Sequence, residues 1–397
     1  MSGQYPARFG LTAHIPGHWK PFEKLAEPPC ALSLPTNLVS IARVLRNAGY
    51  ATASFGKWHL DWRGQGTPEE HGFQTAFEFI GHNIPGARQD PPSKTPKRAM
   101  EYLTDRAVEF LDHNRDKPMF LYLCPSAVHI PLNTTAELEK KYQSKPKTKD
   151  YSCNPLYAGL LEEMDQGVGR VMAALERLGL AENTLVIFTS DNGGLEREVG
   201  GWPGTSNRPL RNEKGSLYEG GIRVPLIVRW PGMTKTAAVT ETVAISVDFY
   251  PTLLEAAKTK PGKSQLLDGA SLVAALRSPN TPRKREAIYW HYPHYYHSRP
   301  SGALRWGDWK AIEFFDTGEV ELYNLEQDLS ESKNLAAEMP DRTESMREKL
   351  QRWRQQVSAQ MPQPNPAYDP KRVDEWWNRG TVARTEAPGA YRVNGAK

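Results

Sequence analysis

Thr184-Leu185-Val186-Ile187-Phe188-Thr189-Ser190-Asp191-Asn192-Gly193-Gly194 decides how the chain is read. An apolar, β-branched run ends abruptly in a carboxylate, an amide and two glycines. That is a buried strand feeding a tight polar loop. Upstream, Leu160, Leu161, Met164, Val168, Val171, Met172 and Leu175 keep helical spacing and predict a helix over 156–178. The same helix-then-strand order repeats earlier. A helix is predicted over 36–47, capped by Thr36 and stopped by Gly49, before a strand at 50–55. Another is predicted over 99–113, striped by Tyr102, Leu103, Ala107, Phe110 and Leu111, before a strand at 119–124. Residues 60–97 are polar and read mostly as loop. A Gly- and Pro-rich loop carries Lys214 to a further strand at 224–228. The alternation predicts an α/β fold with a mixed, mostly parallel sheet flanked by helices, its apolar strands buried on both faces.

The texture changes near Arg283. Short strand-like runs at 287–292, 302–305, 309–315 and 319–325 precede an amphipathic helix at 341–357. These predict a small α+β subdomain with an antiparallel sheet. The expected organisation is an α/β domain over 1–282, this subdomain over 283–360, and a Pro-rich basic tail over 361–397.

Composition narrows the function. The 397 residues are 39% apolar and 24% charged, which excludes a wholly disordered chain. Lys and Arg number 50 against 46 Asp and Glu, too balanced to indicate a nucleic-acid partner. The longest apolar runs are strand-sized, far short of the roughly 18 residues a membrane span needs. Cys30, Cys124 and Cys153 form no disulfide framework and no CxxC pattern. Residues 1–8 carry no apolar signal-peptide core.

Chemistry-bearing residues gather where strands end, the usual place for ligands in an open α/β sheet. Lys57 and His59 close one strand and, two apart on extended backbone, would share a side facing an anion. His129 follows a second strand and is a candidate general acid. Asp191 and Asn192 follow the third, offering hard oxygen donors of the kind Ca²⁺ takes. Lys214 lies in a glycine-rich loop. Read singly, each fits a turn or surface loop better than a site. The run Tyr289-Trp290-His291-Tyr292-Pro293-His294-Tyr295-Tyr296-His297 is either a packed strand with a proline turn or a wall suited to stacking on a sugar ring. His82 and Arg299 are candidate pocket-rim residues.

Taken in order, these segments resemble the sulfatase family. The resemblance rests on Phe55-Gly56-Lys57-Trp58-His59-Leu60, Val128-His129-Ile130-Pro131, Phe188-Thr189-Ser190-Asp191-Asn192-Gly193-Gly194 and Lys214-Gly215-Ser216-Leu217-Tyr218-Glu219-Gly220-Gly221-Ile222-Arg223-Val224-Pro225. Gly3-Gln4-Tyr5-Pro6-Ala7-Arg8 resembles the family's T-G-x-Y-P-x-R segment. The resemblance covers about residues 1–360. It implies an alkaline-phosphatase-like fold and Ca²⁺-dependent hydrolysis of a sulfate ester, carried by a sulfated small molecule or polysaccharide. It assigns Asp191 and Asn192 to Ca²⁺, Lys57 and Lys214 to the sulfate oxygens, His59 to the nucleophile's hydroxyl, and His129 to the sulfate or the departing alkoxide.

Family members also carry paired aspartates and a C-x-P-S-R or similar motif, whose cysteine becomes the formylglycine nucleophile. The resemblance here starts just after that motif. Cys124-Pro125-Ser126-Ala127-Val128 does not replace it, nor do the segments around Cys30 and Cys153. The expectation is that Met1 is an internal methionine of a longer enzyme and that the chain as written is an inactive fragment. Alternatives are a non-catalytic sulfated-glycan binder and a sister phosphodiesterase or phosphonate monoester hydrolase. Sulfatases of this kind are usually periplasmic or secreted.

Overall fold

The computed structural model describes residues 1–15, 17–148, 154–199, 202–262, 265–279 and 285–378. Cys153, Arg283 and the tail beyond 378 lie outside the described residues. After helix α1 (Ile41–Asn47), strand β1 (Ala51–Gly56) runs parallel between β2 (Thr75–Glu78) and, beyond helix α2 (Ala99–His113), β3 (Met119–Cys124). Side chains alternate across this sheet as the pleat requires. Ala53 and Phe55 of β1, with Met119, Leu121 and Leu123 of β3, face Leu103, Ala107 and Phe110 of α2. Phe120 and Tyr122 of β3 face the other way, toward Ala42, Trp58 and Phe73. Helix α3 (Pro155–Arg177) packs outside α2, then β4 (Val186–Thr189) pairs antiparallel with β5 (Leu226–Arg229). Helices thus cover both faces, as expected of an α/β fold.

Three local expectations change. The cap of α1 is Ser40, not Thr36. The Ser40 hydroxyl accepts the Arg43 N–H at 3.0 Å, whereas residues 35–38 are taken up by a turn in which Leu38 N–H donates to Pro35 O at 3.1 Å. The polar stretch 60–97 contains β2, held by its pairing to β1 rather than by a pattern of its own. Burial on both faces holds for β1 but not for the other strands. β3 is half-buried throughout, and in β5 Leu226 and Ile227 are 37% and 63% exposed. Among the described residues, β3 and β4 each pair along one edge.

Helix α4 (Phe249–Ala256) packs Tyr250 and Leu254 against Ile41, Val44 and Leu45 of α1. A four-stranded antiparallel sheet follows: β6 (Ala287–Tyr292), β7 (Ser301–Trp306), β8 (Trp309–Phe314) and β9 (Val320–Asn324). One face carries Leu304, Ala311 and Leu322 against Met346, Leu350 and Trp353 of helix α5 (Pro340–Gln356), together with Tyr5 and Ala7. The other face carries Ala303, Ile312 and Tyr323 against Leu217 and Tyr218. The sheet therefore backs the loop that bears Lys214. Beyond α5 the chain returns as a strap: Gln363–Pro364 pairs with Leu25–Ala26, and Trp377–Asn378 pairs with His18–Trp19. Among the described residues no helix is long and apolar enough to cross a membrane.

Candidate active site

The carboxyl ends of β1 and β3 are in register, with Gly56 opposite Cys124. Gly56 has φ +109°, and a Cβ there would sit 2.1 Å from the Cys124 carbonyl oxygen. Only glycine lets the two backbones close so near. The Lys57 N–H then donates to Cys124 O at 2.6 Å. Trp58 anchors the turn in the core, its indole N–H donating to Gly66 O at 2.8 Å. His59 has φ +54°, so the chain is not extended here. The bend, not the pleat, brings Lys57 and His59 to one site. His59 Nε2 rests on the carbonyl of Ile15. Burial, then the charges of Lys57 and Lys214, hold its proton affinity below that of an ordinary histidine, against the opposing pull of the Ile15 carbonyl.

His129 is tied down on every side. Its N–H donates to Ser126 O at 2.7 Å, and its carbonyl is 2.7 Å from His82 Nε2. Its Nδ1 is 2.6 Å from Ile130 O and its Nε2 is 3.0 Å from Lys214 Nζ. A carbonyl can only accept and an ammonium can only donate, so the network assigns the proton to Nδ1 and the lone pair to Nε2. Burial is the largest influence lowering the proton affinity of His129; the charges of Lys214 and Lys57 add to it, and the Ile130 carbonyl opposes it. Lys214 is likewise held below the usual lysine range by burial and then by Lys57, with Asp191 opposing. Two ammonium groups and two neutral imidazoles thus share one electropositive recess.

Asp191 is exposed at the end of β4, and its charge acts on both Lys214 and His129. The glycines after Asn192 have a packing role. A Cβ on Gly193 would lie 1.7 Å from the Gly220 carbonyl oxygen, and one on Gly220 would lie 2.0 Å from Asn212 O. Backbone therefore meets backbone, and Gly193 N–H donates to Gly221 O at 3.0 Å. This seam locks the Asp191 turn to the Lys214 loop, where Lys214 N–H also donates to Gly194 O at 3.1 Å. As a calcium site the set is partial. Ca²⁺ typically takes 6–8 oxygens, the pair supplies two side chains, and among the described residues no three His, Cys, Asp or Glu groups converge to hold a metal. Nor does Cys124 fit as a precursor of the family's nucleophile: it is a free thiol, pushed up by burial, in a segment lacking the required arginine. Cys30 is also free.

Several contributors escaped the sequence reading. Glu213, buried, accepts the N–H groups of Glu196 and Arg197 and pairs with the Arg197 guanidinium at 2.9 Å. Lys310, fully buried in β8, hydrogen-bonds Glu219 Oε1 at 2.8 Å and lies 2.8 Å from Glu331 Oε1. This triad bolts the loop to the C-terminal sheet. Burial works against both carboxylates; Lys310 outweighs it at Glu219, held low, but not at Glu331, held high. His82 supports the His129 carbonyl from a buried position. Arg299 does not serve as a free rim residue: Asp316 and Glu319 hold it, over the Phe314 ring. The aromatic run divides. Tyr289 packs into the core beside Trp353, whereas Tyr296 and His297 turn toward Lys214.

The chain is similar to known proteins over most of its length. A family model described as sulfatase matches residues 1–259, and one described as the C-terminal region of N-sulphoglucosamine sulphohydrolase matches 212–357. A sulfatase of Formosa agariphila is 37% identical over 285 residues, 65% of this chain and 50% of that protein. The N-acetylgalactosamine-6-sulfatase of Mus musculus is 29% identical over 304 residues, 70% of this chain and 55% of that protein. The chain spans about half the length of these curated relatives. Among solved structures, Ps i-CgsB bound to k-i-k-neocarrahexaose superposes with a TM-score of 0.74 at 28% identity, covering 89% of this chain and 80% of that one. With residues 1–259 matched by the family model and 89% of the chain superposed on a solved relative, the chain belongs to the sulfatase family and has its alkaline-phosphatase-like fold.

Proposed function

We propose that this chain carries the sulfate-binding and leaving-group part of a sulfuric ester hydrolase that acts on a sulfated carbohydrate. One observation carries the reading: Lys214 Nζ lies 3.0 Å from the lone pair of neutral His129, in the field of a second ammonium, Lys57. Two cations in a partly desolvated recess repel each other, and an oxyanion between them relieves both. The recess therefore favours a sulfate group, and more so as negative charge builds on its oxygens during S–O cleavage. When the ester bond breaks, the bridging oxygen departs with the electron pair and needs a proton. Lys214 carries three N–H bonds, so with one held on His129 Nε2 it can aim another at that oxygen and give up that proton there, His129 fixing its position. His59 faces the same recess and orients an attacking hydroxyl.

In family members a formylglycine supplies the nucleophile and Ca²⁺ the counter-charge. Asp191 and Asn192 are the residues we assign to the cation, as part of a larger donor set. The relatives named above support a carbohydrate ester over a small aryl ester, since one was solved with an oligosaccharide and another is named for an aminosugar sulfate.

The test is binding of p-nitrophenyl sulfate to the full chain by equilibrium dialysis at low and high salt. Salt-sensitive binding, lost in both Lys57→Ala and Lys214→Ala, is expected. Equal binding by parent and both variants would overturn the assignment. Tighter binding of p-nitrophenyl phosphate or a phosphonate monoester would favour the sister phosphoesterase reading.

A further inference from the structure

We propose that His14, His18, Tyr296 and Trp376, drawn from both ends of the chain, form a platform on which the sugar ring of the sulfated substrate stacks. This rests on the sulfate reading above and names where the rest of the substrate goes. The rings form one connected group. Centroid to centroid and by interplanar angle, Tyr296 lies 4.8 Å from His14 at 48° and 6.0 Å from Trp376 at 86°, and His18 lies 5.9 Å from His14 at 42° and 6.4 Å from Trp376 at 83°, so the rings make a faceted surface around Trp376 rather than one plane. His18 is exposed and Trp376 is 42% exposed. Trp376 is not a singly exposed side chain but part of a contiguous group of rings beside the basic recess, which is what marks a contact surface.

The platform touches both arms of the recess. Tyr296 stacks on His297 at 3.9 Å, and His297 Nδ1 donates to Lys214 O at 2.9 Å. The close approach of Tyr296 is built into the backbone: Gly215, at φ +87°, has no Cβ, and one would lie 2.8 Å from Tyr296 Cδ1. On the other arm, His14 precedes Ile15, whose carbonyl supports His59. A group leaving the recess between Lys214 and His59 meets these rings next.

The support beneath is rigid. His294 Nδ1 pairs with Glu27 Oε2 at 2.8 Å, its Nε2 is 2.8 Å from Thr12 Oγ1, and Tyr295 N–H donates to Glu27 Oε1 at 3.1 Å. The His294 and Glu27 side chains are 1% and 0% exposed. This buried network fixes the segment carrying Tyr296 to the one carrying His14. The strap supplies Trp376, held by the pairing of Trp377 with Trp19 and by Lys20 over its ring at 5.2 Å. Aromatic faces interleaved with imidazole and indole N–H groups suit a pyranose, which offers C–H faces and equatorial hydroxyls together. A flat aryl group uses the faces alone.

The test compares the full chain with Trp376→Ala, Tyr296→Leu and Lys214→Ala. Ligands are neocarrahexaose, its chemically desulfated form and p-nitrophenyl sulfate, with dissociation constants from equilibrium dialysis. In Trp376→Ala and Tyr296→Leu the ratio of neocarrahexaose affinity to p-nitrophenyl sulfate affinity is expected to fall about tenfold. The desulfated sugar should bind the parent weakly and lose that binding in Trp376→Ala. If the ratio stays within about twofold in both ring variants, the platform is wrong whatever becomes of the sulfate reading. If Lys214→Ala leaves every affinity unchanged while the ring variants weaken the sugar, the sulfate reading fails and the platform stands. Binding of p-nitrophenyl sulfate without any binding of neocarrahexaose would overturn the platform and keep the recess.

Discussion

Replacing Lys310 with methionine isolates the tie between the C-terminal sheet and the Lys214 loop. Methionine keeps most of the stem's volume, so the variant removes chiefly the ammonium. Lys310 is fully buried and lies 2.8 Å from a carboxylate oxygen of both Glu219 and Glu331. Glu331 holds a left-handed backbone at φ +52°, a conformation that costs a non-glycine residue about 1–2 kcal/mol. It is retained because its other oxygen accepts the Glu219 N–H at 2.7 Å. Without Lys310 two carboxylates share a dry site, and the cations left to act on Glu219 are Arg305 and Arg223, the latter 3.5 Å away and half in solvent. Breaking such a buried pair costs roughly 3–5 kcal/mol. That raises the unfolded fraction by about two to three and a half powers of ten. Urea unfolding followed by far-UV circular dichroism reads the loss. The triple variant Glu219→Gln, Lys310→Met, Glu331→Gln removes all three charges and should recover most of it. A loss below about 1 kcal/mol in the single variant would refute the electrostatic account. A triple variant as unstable as the single one would assign the effect to packing.

Other expectations follow from the same geometry. Lys214 is held below the ordinary lysine range, so p-nitrophenyl sulfate affinity should fall with rising pH before an unperturbed lysine would titrate; Lys214→Arg should keep its affinity through that range, and identical pH profiles would contradict the role of burial. His291 is pushed down to about 4 by burial, so the unfolded chain binds its proton first. Its contribution is complete above about pH 6.5 and is lost as pH falls toward about 4, roughly 3 kcal/mol in all; in His291→Gln, melting temperature should fall less steeply over that window than in the parent. Gly193→Ala places a methyl 1.7 Å from Gly220 O, so the seam must open. It should destabilise by roughly 1–3 kcal/mol and weaken sulfate binding, and a variant that melts and binds like the parent would show that the seam yields freely.

How much of this was legible depended on the range of the forces involved. The helix at 99–113 and the strand at 119–124 are found where their periodicity put them, because local pattern and tertiary burial agree there. β2 was missed because four residues carry no period, and its only support is the partner strand. Thr36 and Ser40 are both sound caps by composition; the choice between them was made by the turn at 35–38. The convergence of Lys57, His59, His129 and Asp191 was readable from their shared place at strand ends; Lys214, in a loop, joined them only through the family resemblance. Their supports were not. Lys310 meets Glu219 across 91 residues, and His294 meets Glu27 across 267. No spacing rule reaches that far, and a buried lysine looks like a surface lysine until its carboxylates are found. The His59 bend also lay outside pattern reading, since alternation assumes an extended chain.

The depth of Lys310 also makes it a chemical clock. An acylating reagent attacks the free amine, and a fully buried amine clamped between two carboxylates is reached only when the C-terminal sheet parts from the Lys214 loop. Exposed lysines such as Lys333 label at once. The lag before Lys310 acquires an acyl mark, read by peptide mass, therefore times the opening of this seam in the intact protein without a denaturant. Saturating sulfate ester should lengthen that lag, because an anion held by Lys214 holds the seam shut.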